Sequence, residues 1–247
     1  MKCRLCLKDK KLIKAHIIPD FMHQKLYDSE HKLLKVQYSK LGNSKKISTG
    51  EYDKDILCAE CDNKISKYES YASKVIYGGS FLNEKMPNFQ IMRNQFGLES
   101  TFITNVDYNE MKIFLLSILW RGSITKRSNY NDIALSSKDE EIIRQQILNE
   151  QAGEPFEFPC LLMTFLNIKD IHSDLIASPR RNLNNTRFTF LINGIIFTYF
   201  ISDSDKPADL LNECIIKKNN TMRIMYLSEE KAKIFLNKFL GILLFNK

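Results

Sequence analysis

Leu57-Cys58-Ala59-Glu60-Cys61-Asp62-Asn63-Lys64 is the stretch that decides the fold, together with Cys3-Arg4-Leu5-Cys6 at the start of the chain. Each contains a Cys-x-x-Cys knuckle, whose two-residue spacer lets both sulfurs turn toward one ion. Two knuckles supply the four thiolates of a tetrahedral structural zinc site, Cys3, Cys6, Cys58 and Cys61. The 51 residues between Cys6 and Cys58 are too many for a simple finger. The metal is therefore expected to staple the base of a larger insert, and that insert holds Ala15-His16-Ile17-Ile18-Pro19.

Reading outward, a short strand is expected over Leu12 to Ala15, with His16 at its end. Pro19 permits a helix start, and Asp20 to Tyr27 carries Phe21, Met22, Leu26 and Tyr27 at helix-like spacing. Residues 28 to 50 are polar, with turn signals at Gly42-Asn43-Ser44 and Thr49-Gly50, and read as a loop. Residues 52 to 57 fit the second strand of a hairpin. A helix from Ala59 to Val75 follows, with Cys61, Ile65, Tyr68 and Ala72 on one face, and Gly78-Gly79 ends the module.

The remainder shows no clear pattern from Phe81 to Ser100, where Pro87 breaks it. Asp107-Tyr108-Asn109-Glu110 then reads as a capping box before a helix with almost no polar face, from Met111 to Arg121, with Gly122 as its stop. Ser137-Lys138-Asp139-Glu140 reads as a second box, opening a helix to about Gln151. Cys160 to Ile168 looks like a strand. Arg187 to Ile192, Asn193-Gly194 and Ile195 to Ile201 spell a hairpin with a type I′ turn. Ser178-Pro179-Arg180-Arg181 reads as a basic loop and Arg223 to Leu227 as a strand. Ser228 caps a last helix whose apolar stripe runs from Ala232 to Leu244.

The 247 residues are 44% hydrophobic and 26% charged, which suits one good-sized core or two small ones and decides against a disordered tail. Of the +7 formal charge nearly all falls in residues 1 to 78, which hold 16 Lys and Arg against 10 Asp and Glu. Four thiolates on one dication carry a formal minus two, leaving the module at about +4. This fits a polyanionic partner such as nucleic acid weakly, and a solvated lysine-rich surface equally well. Met1 to Leu12 lacks the apolar core of a secretory signal, and no apolar run reaches the roughly 18 to 20 residues that span a bilayer. With Cys160 and Cys214 outside any knuckle, a reducing cytoplasm is the expected location, without membrane contact.

Strand, histidine, strand, Cys-x-x-Cys and helix, preceded by a further Cys-x-x-Cys, resembles the zinc-stapled branch of the HNH (ββα-metal, His-Me finger) endonucleases. Cys3, Cys6, His16, Cys58 and Cys61 carry the likeness over the first third of the chain. His16 to Phe21, Leu57 to Cys61 and Leu116 to Arg121 also look like a group of bacterial HNH-type proteins associated with phage defence. The fold implied is α+β: a zinc-bound, treble-clef-like ββα-metal module over residues 1–78, then an α+β domain over 79–247. That second domain is expected to be helical over 81–153, with an antiparallel sheet and a terminal helix over 156–247.

The resemblance implies a metal-dependent hydrolysis of DNA, preferred over RNA, in which His16 is the general base. One Mg²⁺ or Mn²⁺ held from the helix after the second knuckle would neutralise the scissile phosphate, with Asp62, Asn63 and Glu69 as the available ligands. The residue that orients the histidine would be Asp53 or Asp55, with Asp55 and Asn63 grouped with His16 as the catalytic set. The chain departs from the family where many members place an acidic residue, at Ala15. His23, His31 and His172 stand in no constellation. The alternative is a catalytically inactive zinc-stapled subunit that binds DNA or a partner. A protein partner or a second copy of the chain is compatible with either.

Overall fold

The computed structural model describes residues 1–36, 44–78, 86–95, 97–202 and 204–241. In chain order its elements are β1 (Ala15–His16), β2 (Leu33–Val36), β3 (Ser44–Ile47), β4 (Tyr52–Asp53), α1 (Ala59–Tyr77), β5 (Asn88–Arg93), β6 (Glu99–Thr104), α2 (Tyr108–Ile124), α3 (Ser137–Asn149), β7 (Cys160–Thr164), β8 (Ile176–Arg181), β9 (Arg187–Ile192), β10 (Ile195–Phe200), β11 (Thr221–Tyr226) and α4 (Glu229–Leu240). The fold is mixed α+β. The Gly42-Asn43 turn, Gly79 and the Leu243-Leu244 end of the apolar stripe lie outside the described residues. Among the described residues no helix is long and apolar enough to cross a membrane.

The middle layer is α2. Its residues from Ile113 to Trp120 are all buried, as a helix without a polar face requires. The Asp107 carboxylate accepts the Glu110 amide at 2.9 Å, as expected of a cap, but the reciprocal bond does not form. The Asp107 N–H instead donates to the Tyr71 hydroxyl at 2.6 Å, tying the start of α2 to α1. Gly122 does not stop the helix, which runs on to Ile124. A Cβ on Gly122 would lie 3.0 Å from Phe190 Cζ, so the glycine lets helix and sheet approach closely.

One face of α2 packs on a seven-stranded sheet of order β5-β6-β11-β7-β10-β9-β8. Neighbours are antiparallel except β7 and β11, which run parallel, so the expected antiparallel sheet is in fact mixed. It also takes in β5 and β6 from the segment expected to be helical. Alternation sorts the two faces of β9 and β10. Phe188, Phe190, Ile192, Phe197 and Tyr199 join the α2 core, while Leu191 and Ile196 pack with Leu236 and Phe239 of α4. Covered on both faces, β10 is buried at every position. The segment read as a basic loop is the edge strand β8, whose register shifts between Ala177 and Arg180. An irregular edge tolerates Pro179, whose missing N–H is not needed there.

The other side of α2 meets α1 and α3. Ser136, one residue before the expected cap, accepts the Asp139 amide at 3.1 Å and starts α3. The stretch Asp20 to Tyr27 is not an α-helix but two 3₁₀ turns, Asp20–Met22 and Gln24–Leu26, meeting at His23. The loop expected over 28–50 contains the β2–β3 hairpin. A single apolar cluster includes Cys3, Leu5, Ile17 and Ile65 as well as α2 and the inner face of the sheet.

At the β9–β10 turn, Asn193 and Gly194 have φ of 48° and 73°, the positive pair that a type I′ turn needs. The Asn193 amide donates to Met22 O and, at 3.2 Å, to the Tyr77 hydroxyl, so this hairpin is pinned to the N-terminal segment. Asn193→Ala strands the buried Met22 carbonyl and removes a residue type suited to positive φ. It is expected to lower stability by about 2 kcal/mol, read as a reduced urea midpoint. An unchanged midpoint would contradict the pinning.

Candidate metal centre and adjoining histidine

Backbone pairing brings the knuckles together. Leu12 bridges Cys58, Ile13 N–H donates to Leu57 O at 2.9 Å, and Arg4 N–H donates to Ile56 O at 2.8 Å. Cys58 stands at the N-terminus of α1, which turns Cys61 back beneath it. The four sulfurs of Cys3, Cys6, Cys58 and Cys61 all lie within 4.8 Å of one another. A zinc with about 2.3 Å bonds to sulfur needs sulfurs about 3.8 Å apart, so the cluster can hold a structural metal such as zinc. Cys3, Cys58 and Cys61 are buried and Cys6 partly so. The Cys58 N–H points at Cys3 Sγ, 3.4 Å away, a donor that favours a thiolate there. Burial pushes the Cys61 thiol up, and the other three cysteines push it further. A dication among them reverses that preference, because it pairs with the charged form.

The same antiparallel ladder positions His16. Ala15 pairs with Asp53 and His16 with Tyr52, and Ile17 N–H donates to Glu51 O at 3.1 Å. The half-buried imidazole places Nε2 3.1 Å from Thr49 Oγ1 and 3.6 Å from Asp20 Oδ1. The groups beside the ring are thus Asp20 and Thr49. Asp53 faces elsewhere: it accepts from Thr125 Oγ1 at 2.8 Å, from the Asp55 amide at 3.0 Å and from the Lys126 amide. Burial opposes its ionisation, but these donors outweigh it and hold the Asp53 carboxyl below its usual value. Asp55 is exposed in the bend after β4.

Asp62 and Glu69 share a face of α1, seven residues apart. Burial holds the Asp62 carboxyl above its usual value, opposed by Arg121 and supported by Glu69, with His16 near enough to contribute. Arg121, reaching from α2 and almost wholly buried, lies 2.7 Å from Glu69 Oε1. This is an ion pair without hydrogen-bond alignment, since Glu69 Oε1 accepts no aligned donor. The same guanidinium donates to His16 O at 2.8 Å and to Ser117 O at 3.2 Å. Asn63 is exposed, its carbonyl taking the Ser66 hydroxyl. Of the expected site residues, the structure thus groups the four cysteines, brings Asp62 into the electrostatic field of His16, and ties Glu69 to Arg121. Asn63 and Asp55 stand at the surface. Among the described residues, the four cysteines are the one group of three or more His, Cys, Asp or Glu side chains close enough to share an ion.

The sequence reading missed Asp20, Thr49, Arg121 and His23. Asp20 lies four residues after His16, a spacing that could have flagged it. His23 is buried, its ring centroid 6.2 Å from that of His16, and burial pushes its imidazole below the ordinary value. A Cβ on Gly50 would sit 2.5 Å from that ring, so Gly50 is needed where the loop crosses it. No protein-family model, curated protein or solved structure matches the chain.

Cys58→Ser removes one of the four sulfurs. The purified variant is expected to carry well below one zinc per chain and, because the knuckles share a core with α2, to melt at a lower temperature in one transition. Full zinc content with an unchanged melting temperature would exclude the four-sulfur site.

Proposed function

We propose that the chain is a metal-dependent phosphodiesterase acting on DNA in the manner of the HNH endonucleases, with structural zinc on the four cysteines. The observation that carries this reading is the placement of His16. It ends a strand paired with the segment leading into the second knuckle, half-exposed, with Asp20 and Thr49 beside its ring. A role in phage defence rests on the sequence resemblance alone.

In this reading Nε2 carries the proton and donates to Thr49 Oγ1, the tautomer that the Asp20 carboxylate 3.6 Å away favours, and Nδ1 is the lone pair that takes one from water. Thr49 holds the ring in that orientation. Arg121 fixes the His16 carbonyl and thereby the end of the strand. The Asp62 carboxylate, half-buried and without a hydrogen bond among the described residues, is the one to hold a divalent ion, while Glu69 is committed to Arg121. Mg²⁺ or Mn²⁺ so bound supplies charge neutralisation at the phosphate and the departing oxygen.

The commitment of Glu69 favours a second reading, a zinc-stapled subunit that binds nucleic acid without turnover. Plasmid DNA incubated with protein in Mg²⁺, Mn²⁺ or EDTA separates the two. Nicking or linearisation that needs the ion, and that falls at least 100-fold in His16→Ala with zinc content unchanged, is expected. Undiminished cutting by His16→Ala removes His16 from the chemistry, and retention of DNA without cutting in either ion supports the binding subunit.

A further inference from the structure

A cleft of about 350 Å³ opens where the β2–β3 hairpin, the Asn129-Tyr130 turn and β8 meet. Ligand sites favour such junctions, and the volume suits one nucleoside rather than a run of bases. Leu33 and Ile47 line it from the hairpin, and Ile176 and Ala177 from β8, so much of its wall is apolar.

Its carboxylates are acceptors only, and the Tyr130 and Ser178 hydroxyls that also line it can accept as well as donate. Lys35 and Asn129 both engage Glu51 Oε1, Asn129 Nδ2 at 2.7 Å. Glu51 Oε2 and Asp174 Oδ2 accept no hydrogen bond from the described residues. His23 Nδ1 is 3.2 Å from Pro19 O; a carbonyl only accepts, so Nδ1 carries the hydrogen and Nε2 is left as a lone pair. An anion entering the cleft meets two carboxylates, and the one lysine there is already paired. A flat, neutral heterocycle bearing N–H groups meets apolar walls and, in the free oxygens of Glu51 and Asp174, acceptors matched to it, the buried His23 ring being covered by Gly50.

The cleft adjoins the proposed reaction centre. His23 lies beside His16, and Glu51 belongs to the ladder that holds His16. We propose that the cleft binds an amino-bearing nucleobase, guanine, adenine or cytosine, with the negatively charged phosphate kept outside by Glu51 and Asp174. This deepens the phosphodiesterase reading and rests on it for the role of the base, though binding itself is measurable without turnover.

The test uses full-length, zinc-loaded His16→Ala protein, titrated calorimetrically with guanosine, adenosine, cytidine, uridine and a short single-stranded DNA oligonucleotide. The methyl signals of Ile47 and Ile176 are followed by NMR. The amino-bearing nucleosides are expected to bind and to shift both methyls, with uridine at least tenfold weaker. Asp174→Asn, at an exposed position that spares the fold, is expected to narrow that preference at least threefold. Ile176→Trp, which fills the cleft from the α2 face of β8, is expected to abolish binding, its melting temperature reporting whether it folds. An oligonucleotide that binds more tightly than any nucleoside marks a base carried on a strand; binding of nucleosides alone marks a free nucleotide. No binding at millimolar nucleoside, or uridine binding as well as guanosine, overturns the proposal. Cleavage by wild-type protein alongside such a result would leave the phosphodiesterase reading standing and remove only the cleft.

Discussion

A helix with no polar face has to be covered on every side, and α2 imposes that demand on the whole chain. The sheet covers one side, α1 and α3 the other, and the knuckle segment closes against the same core. Two charged residues inside this apolar helix decide which backbone comes to it. Lys112, almost wholly buried, donates to Pro155 O at 3.3 Å, Glu157 O at 2.6 Å and Phe158 O at 3.2 Å, gathering the loop before β7. Burial brings its ammonium down to about 8, opposed by nearby Cys160 and Glu157. Arg121 does the same nine residues further along, taking the carbonyl of His16 and the carboxylate of Glu69.

The candidate site is therefore assembled by distant parts of the sequence. The knuckles bring β1, β4 and α1 to a common base, and Arg121 joins His16 to α1 from the side of the sheet. Asn193 adds a second tie, from the β9–β10 turn to Met22 next to His23. A structural metal at the knuckles acts on His16 through the ladder that starts at Leu12 and Cys58. The sheet contributes to the site through Asn193 and through β8, which lines the cleft beside His23, and α2 contributes through Arg121.

What was legible in the sequence was local. Cysteine spacing, the Asn-Gly turn, the Asp107 and Ser228 caps and the apolar face of α1 are set by neighbours a few residues apart, and each appears in the structure. The β5–β6 hairpin was not legible, because every residue of β5 is exposed and no buried face imposes alternation. Pro179 disguised β8, since a proline argues against a strand except at an irregular edge. The partners of His16 were hidden for a different reason. Arg121 stands near the end of an apolar helix, and nothing in its neighbourhood reveals a carbonyl 105 residues earlier in the chain. Of the two candidates to orient the histidine, Asp53 has its carboxylate claimed by Thr125 and two amides, and Asp55 is exposed.

The four-cysteine centre is where sequence and geometry agree most closely, and the proposed chemistry at His16 rests on the strand it fastens. X-ray absorption at the zinc K-edge of the purified, full-length protein tests it directly. Four sulfur scatterers at about 2.3 Å, with no light-atom shell in the first sphere, are the expected result. Nitrogen or oxygen ligands in place of any sulfur, or a folded protein purified without zinc that fails to take it up, would contradict it.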